Sequence, residues 1–156
     1  MFFLITGGAR SGKSTLAVNI GRSHLGKVIF IATAPNLDDD MSERIKRHQL
    51  ERPDWETIEE ECEILSHLKR GKSGDLLIVD CITLWISNLL FHGKTEKEII
   101  EAAIEISQVA RTSPCAFVMV TNEVGMGIHP ETDLGREYRD LLGKVNQILV
   151  KESTKA

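Results

Sequence analysis

Short apolar runs recur along the chain and predict five β-strands, at residues 2–6, 27–33, 55–59, 75–80 and 115–121. Four of these runs are almost continuously apolar instead of alternating between apolar and polar residues. Such runs are typical of parallel strands that are buried on both faces of a sheet. The run at 55–59 is more polar and fits a short strand.

The segments between the runs have apolar residues at helical spacing, which predicts helices at about 14–22, 38–51, 60–71, 82–91, 95–110 and 131–151. Thr95 and Glu98 have the spacing of a capping box, and Pro53 ends the second helix. Strands that alternate with helices indicate an α/β fold, with a mostly parallel central sheet flanked by helices. The residues of the last helix that should face the core are Leu134, Tyr138, Leu141, Leu142, Val145 and Leu149.

Composition narrows the class of protein. The chain has 156 residues, 42% hydrophobic and 27% charged, which fits a single catalytic domain spanning 1–156. Its formal charge of −4 argues against a general nucleic-acid surface, so we expect no nucleic-acid partner. The apolar runs are too short for a membrane span. Three widely spaced cysteines indicate reduced thiols and a cytoplasmic location.

The sequence Gly-Gly-Ala-Arg-Ser-Gly-Lys-Ser at 7–14 has the spacing of a nucleotide phosphate-binding loop. Glycines let successive backbone N–H groups point at an anion, and the following helix adds its positive dipole end. In this motif Lys13 reaches the β- and γ-phosphates, and the Ser14 hydroxyl binds Mg²⁺. A turn that merely ends in Lys-Ser would not need a strand before it and a helix after it. We therefore expect a nucleoside triphosphate to contact Gly7, Gly8, Ala9, Arg10, Ser11, Gly12, Lys13 and Ser14.

Asp80 ends the apolar run at 75–80, where proteins with this loop place a second carboxylate that binds Mg²⁺ directly or through water. An aspartate that only caps the next helix is the alternative. The ligand crevice of an open α/β sheet lies beyond the carboxyl ends of its strands. We therefore expect Ser14 and Asp80 to be metal ligands, and Glu123, which follows the last strand, to face the nucleotide.

Arg44, His48 and Arg52 are spaced four residues apart, so they share one face of a helix. Neighbouring arginines disfavour a further positive charge and hold His48 towards its neutral form. A neutral imidazole can attack phosphorus while arginines steady the phosphate oxygens. A basic face that is simply solvated is an alternative that these residues alone leave open.

Several separated stretches resemble the bifunctional adenosylcobinamide kinase/adenosylcobinamide-phosphate guanylyltransferase family of cobalamin biosynthesis. The two most specific are Asn-Glu-Val-Gly-Met-Gly-Ile at 122–128 and the His-x-x-x-Arg-Pro spacing that begins at His48. The resemblance spans nearly the whole chain. The other matching stretches are 6–14, 31–33, 80–84 with 88–90, and 138–140 with Gly143 and 146–147.

The resemblance implies a P-loop NTPase-like enzyme that phosphorylates adenosylcobinamide with ATP or GTP. It then implies transfer of GMP from GTP to adenosylcobinamide phosphate, through GMP bound covalently to His48. Mg²⁺ and a homotrimer are implied as well. In the kinase step, Lys13 stabilises charge on the transferred group. The further nucleotide contacts that the resemblance implies are Ala32, Thr33, Ala34, Gln49, Leu50, Glu51, Arg52, Glu59 and Asp80.

The chain departs from the family at its last helix. The family continues there into a further strand, so we expect the C-terminal edge strand to be missing and a sheet edge to lie unpaired. His129 also stands where the family usually has an apolar residue.

Three other functions compete with this one. A small-molecule kinase without the guanylyltransferase step would not need His48, which is present. A regulatory GTP-binding switch would carry an Asn-Lys-x-Asp run, which the sequence lacks. The short C-terminus leaves open a third alternative, in which the protein is a non-catalytic nucleotide-binding subunit.

Overall fold

The computed structural model describes residues 1–35, 43, 46, 50, 52–125 and 130–156. Five strands form one sheet within these residues, and every neighbouring pair is parallel. They are β1 (Phe2–Gly7), β2 (Val28–Ala32), β3 (Glu56–Glu59), β4 (Leu76–Asp80) and β5 (Ala116–Asn122). Their spatial order is β1-β5-β4-β2-β3. All five predicted strands and the predicted parallel α/β fold are confirmed.

The position of each strand explains its composition. The strand β4 lies between β2 and β5, and four of its five residues are buried. The strand β3 lies at an edge, next to β2 alone, and three of its four residues are exposed. Glu56 on β3 pairs with Lys27 at 2.6 Å in solvent. The polar run at 55–59 therefore reflects an edge position.

Five helices lie entirely within the described residues: α1 (Lys13–Arg22), α2 (Ile64–Leu68), α3 (Ile82–Phe91), α4 (Glu96–Thr112) and α5 (Asp133–Glu152). The predicted capping box of α4 is present, because the Glu98 amide donates to Thr95 Oγ1 at 3.2 Å and the Thr95 amide donates to Glu98 Oε2 at 2.7 Å. No helix in the described ranges combines the length and apolar character that crossing a membrane requires.

The helix predicted at 60–71 is much shorter in the structure. A Glu60 carboxylate oxygen accepts hydrogen bonds from the amides of Cys62, at 3.0 Å, and Glu63, at 2.8 Å. These bonds hold a turn, so α2 begins only at Ile64. The predicted helix at 38–51 falls mostly outside the described residues; positions 43, 46 and 50 are helical.

Helices cover both faces of the sheet. On one face, α1 packs its Ala17 against a layer of strand residues that includes Ile78. On the other face, α2 to α5 cover a larger layer that includes Leu77 and Val79, with Trp85 fully buried in it. Adjacent residues of β4 thus enter opposite layers, which explains its continuous apolar run.

The first turn of α5 departs from the prediction. Leu141, Leu142 and Val145 are buried and Tyr138 is partly buried, but Leu134 is 71% exposed. A helix of 20 residues spans about 30 Å, whereas the longest strand, with seven residues, spans about 23 Å. The helix therefore extends beyond the strand ends, and the prediction that Leu134 faces the core is wrong.

Residues after α5 pair with β1 at the edge of the sheet. Lys155 forms a parallel bridge with Phe3, and its carbonyl accepts from the Leu4 amide at 2.9 Å. The Thr154 amide donates to the Phe2 carbonyl at 2.7 Å, and Thr154 Oγ1 accepts from the Phe2 amide at 3.0 Å. The expectation of an unpaired edge is therefore wrong for the first half of β1, because an extended tail supplies backbone partners without forming a regular strand.

Candidate active site

The connection between β1 and α1 curls tightly over residues 8–12. Gly12 has φ 85°, in the left-handed region, immediately before the first residue of α1. Arg10 also has a positive φ, of 55°. At Gly7 a Cβ atom would lie 2.9 Å from Ser11 Oγ. The left-handed backbone favours glycine at position 12, whereas a side chain at position 7 would need Ser11 to move.

Lys13 folds back against this loop from the start of α1. Its Nζ donates to the Gly8 carbonyl and lies 3.4 Å from Ser11 Oγ. The Ser11 hydroxyl donates to the same carbonyl at 2.8 Å. The ammonium group and the N-terminus of α1 thus lie together at the loop, which is the arrangement that a phosphate anion needs.

A cleft of about 640 Å³ lies beside this loop at the carboxyl ends of β2, β4 and β5. The loop contributes residues 9–14, and the strand ends and the segment before β3 contribute Ala32, Ala34, Arg52 and Asp80. The structure therefore brings predicted site residues from four separate segments to one cleft. Gly7 and Gly8 are not among its lining residues.

Ser14 and Asp80 line both this cleft and an adjoining hollow of about 270 Å³. Hydroxyl and carboxylate oxygens are ligands that Mg²⁺ accepts, and Mg²⁺ is commonly held by one or two carboxylates together with substrate phosphates. The pair is therefore suited to supply two ligands to a Mg²⁺ ion whose other ligands would come from the phosphates of a nucleotide. No group of three or more His, Cys, Asp or Glu residues suited to a metal occurs in the described ranges.

Arg52 supplies a cation to the wall of the cleft. Its side chain lies over the Phe30 ring, and the residue is only 9% exposed. Burial lowers the pKa of Arg52, while the carboxylates of Asp80 and Glu59 act in the opposite direction. An arginine keeps its charge under such conditions, so the cleft wall carries a fixed positive group in addition to Lys13.

Besides Gly7 and Gly8, the predicted contacts Glu59 and Thr33 do not line the cleft. Glu59 ends β3 and is exposed, although its carboxylate lies close enough to act on the pKa of Arg52, in the upward direction. Thr33 is fully buried, and its hydroxyl donates to the Cys81 carbonyl and accepts from the Cys81 amide, each at 2.7 Å. The Thr33 side chain therefore faces the protein interior.

The predicted nucleophile lies outside the described residues. His48, Gln49 and Glu51 belong to this part of the chain, as does Arg44. Leu50 is described, and it is helical and 87% exposed.

Some residues that line the cleft were not predicted from the sequence. They include Phe30, Leu84 and Asn122. Phe30 precedes Ala32 by two positions on a strand, so a side-chain alternation of two places both on the same face of the sheet. That alternation was a usable signal for Phe30. Asn122 is the polar residue that ends β5, next to Glu123, whose amide donates to the Gly7 carbonyl at 2.9 Å.

Comparison with known proteins gives consistent matches over almost the full length. A family described as cobinamide kinase / cobinamide phosphate guanyltransferase matches residues 3–156. The bifunctional adenosylcobalamin biosynthesis proteins CobU of Escherichia coli K12 and Salmonella typhimurium LT2 are 41% and 40% identical, and each match covers 96% of this chain and 90% of the relative. The bifunctional adenosylcobalamin biosynthesis protein CobP of Pseudomonas aeruginosa PAO1 is 36% identical, over 95% of this chain and 86% of the relative.

Proposed function

The chain belongs to the cobinamide kinase / cobinamide phosphate guanyltransferase family, and from this we propose that it acts on adenosylcobinamide in two steps. It first transfers a phosphoryl group from ATP or GTP to a hydroxyl of adenosylcobinamide. It then transfers GMP from GTP to the new phosphate, which gives adenosylcobinamide-GDP. The family match over residues 3–156, on a chain whose phosphate loop opens on a cleft, carries this proposal.

In the kinase step the protein stabilises charge and performs no covalent chemistry of its own. Lys13 and the backbone amides of the loop would bind the β- and γ-phosphate oxygens. Ser14 and Asp80 are the residues that would hold Mg²⁺, and the bound ion would neutralise phosphate charge. Arg52 supplies a further cation in the wall of the cleft.

In the second step a His48 nitrogen attacks the α-phosphorus of GTP, and pyrophosphate leaves with the electron pair of the broken bond. A phosphate oxygen of adenosylcobinamide phosphate then attacks the same phosphorus, and the histidine leaves with its electron pair restored. This covalent route divides one difficult transfer into two easier ones. Gln49, Leu50, Glu51 and Glu59 are further proposed nucleotide contacts, as are Ala32 at the end of β2 and Ala34, which both line the cleft.

The proposal extends to the location, oligomeric state and domain organisation of the protein. It is a cytoplasmic homotrimer in which residues 1–156 form one catalytic domain, and it has no nucleic-acid partner. The family resemblance supports the trimer. Three free cysteines, of which two are buried, support a reducing compartment.

The test is intact mass spectrometry after incubation with GTP and Mg²⁺. The wild-type protein should gain one covalent GMP, which adenosylcobinamide phosphate should remove. His48→Asn should lose the label and retain kinase turnover, whereas His92→Asn, a change at an exposed histidine, should keep both. Kinase turnover without any label on the wild-type protein would favour the kinase-only alternative, and a label that persists in His48→Asn would refute the assigned nucleophile.

A further inference from the structure

We propose that Thr33 and Asn88 are positioning residues that fix Asp80 relative to the phosphate loop, and we name the two side chains together the strand-end clamp. The proposal rests on the proposed function, because it assigns the clamp to the metal-dependent phosphate chemistry of the same cleft. Neither residue lines that cleft. The clamp therefore acts through the residues that it holds.

Thr33 links the carboxyl-terminal ends of β2 and β4. Its amide donates to the Asp80 carbonyl at 3.1 Å. Its hydroxyl donates to the Cys81 carbonyl and accepts from the Cys81 amide. The two peptide groups around Asp80 and Cys81 are thus bonded to one buried residue, and this limits how far the Asp80 carboxylate can move.

Asn88 links the same point to the exit of β3. Its Nδ2 donates to the Thr33 carbonyl at 2.8 Å and to the Glu61 carbonyl at 3.0 Å. Both acceptors are carbonyl oxygens, so the amide nitrogen must face them and both of its hydrogens are used. Asn88 is 7% exposed, and its removal would leave two carbonyls without these donors in a poorly solvated place.

The clamp closes a ring through α3. Cys81 is the N-cap of α3, and Asn88 lies two turns along that helix. The path from Cys81 along α3 to Asn88, across to Thr33 and back to Cys81 is therefore continuous. Trp85, on the same helix, donates from Nε1 to the Cys62 carbonyl at 2.8 Å and secures the β3 exit a second time. The carboxyl ends of β2, β3 and β4 are held as one unit.

Every polar atom of Thr33 has a partner inside the protein. The amide, the carbonyl and the hydroxyl are all engaged, whereas the flanking Ala32 and Ala34 line the cleft. We therefore assign Thr33 the task of holding Asp80, and assign direct nucleotide contact in this segment to its neighbours.

The experiment compares Thr33→Val, which keeps the shape and loses the hydroxyl, with Thr33→Ser, which keeps the hydroxyl. GTP affinity is measured by calorimetry with and without Mg²⁺, together with kcat for the kinase step. Because a misplaced carboxylate weakens metal-dependent steps, Thr33→Val should lower kcat about tenfold to a hundredfold. It should also lose most of the gain in affinity that Mg²⁺ gives, while Mg²⁺-free affinity changes less than about threefold. Thr33→Ser should keep both kcat and the gain in affinity from Mg²⁺ close to the wild-type values.

Leu149→Ala is the control for a loss of stability alone, because Leu149 is fully buried near the far end of α5. A kcat in Thr33→Val no lower than that in a Leu149→Ala variant of equal stability would overturn the proposal. If Thr33→Val does not fold, Asn88→Ala carries the same comparison. A wild-type protein that binds GTP with Mg²⁺ but never phosphorylates adenosylcobinamide would refute the proposed function, and the Mg²⁺-dependent affinity would still decide the clamp.

Discussion

The guanidinium carbon of Arg52 lies 3.9 Å from the centre of the Phe30 ring, so the cation in the cleft wall rests on an aromatic face. Such a contact stabilises a partly desolvated arginine and fixes the plane of its guanidinium group. Phe30 lines the cleft and the adjoining hollow, as Arg52 does. The ring therefore orients a positive charge towards the space that we assign to the nucleotide.

Replacing Phe30 by leucine should weaken GTP binding. The change removes the ring face, and a cation–π contact contributes about 0.5–2 kcal/mol, or about a twofold to thirtyfold change in dissociation constant. Phe30→Tyr keeps the face and serves as the control. Calorimetric titration with GTP measures both, and equal affinities in Phe30→Leu and Phe30→Tyr would show that the ring does not support the Arg52 cation.

Lys13→Ala should abolish the kinase step and leave the fold intact. The Lys13 ammonium contacts the Gly8 carbonyl and the Ser11 hydroxyl of its own exposed loop, so its removal disturbs no part of the core. The loss of its charge should reduce kcat by at least about a hundredfold. Circular dichroism and thermal unfolding should match those of the wild-type protein. Retained turnover with adenosylcobinamide and either triphosphate would contradict the role of Lys13.

Protonation of Glu60 should make the protein less stable in acid, because the folded state favours its charged form. Burial, the largest influence, raises the pKa of Glu60, but the amides of Glu63 and Cys62 together with His67 outweigh it and leave the pKa below its usual 4.5. The unfolded chain therefore takes up a proton more readily, so this stabilisation is present above pH 4.5 and is lost as the pH falls below it.

The matching variant is Glu60→Gln, followed by urea unfolding between about pH 7 and pH 3. It should be about 1 kcal/mol less stable at neutral pH, because a neutral amide accepts backbone hydrogen bonds more weakly than a carboxylate. Its free energy of unfolding should also fall less steeply in acid. An unchanged slope would show that Glu60 does not carry this part of the acid sensitivity.

Removing residues 153–156 should destabilise the sheet edge by about 1–3 kcal/mol, because the partners of the Phe2 carbonyl and the Leu4 amide are lost. Lys155→Ala is the control, since the bridge uses backbone atoms alone. Its free energy of unfolding should stay close to that of the wild-type protein. If the shortened chain is as stable as the control, the tail does not support β1.

Local features of the sequence predicted much of this molecule. Apolar runs located all five strands, and the glycine and lysine spacing at 7–14 located the loop between β1 and α1, whose phosphate binding stays a proposal. The family resemblance, carried chiefly by residues 122–128 and the spacing from His48, is confirmed by the match over 3–156. The predicted helix that contains His48 lies mostly outside the described residues, so the role of His48 as the nucleophile stays a prediction.

The predictions that failed for Leu134 and for the sheet edge depended on the fold as a whole, whereas the shortened helix at 60–71 reflects the local hydrogen bonds of Glu60. The exposure of Leu134 follows from the relative lengths of a helix and a sheet, which its own periodicity does not contain. The tail paired with Phe2, which lies 152 positions away in the sequence. The contact between Phe30 and Arg52 likewise required the fold, because one residue looked like core and the other like a helix face.

The placement of β1 also bears on how the protein is made. Residue 2 pairs with residue 117 and residue 7 with residue 122, so β1 adds to the sheet only through β5. During synthesis β1 and the loop that follows it leave the ribosome before β5, so β1 must wait for a partner that is translated much later. Contacts this distant in sequence form slowly, and until then the amino-terminal apolar strand is exposed to the cell. Nascent chains that stop before residue 116 should therefore fail to bind GTP, although they already contain every residue of the loop, and they should depend on chaperones to stay free of aggregates.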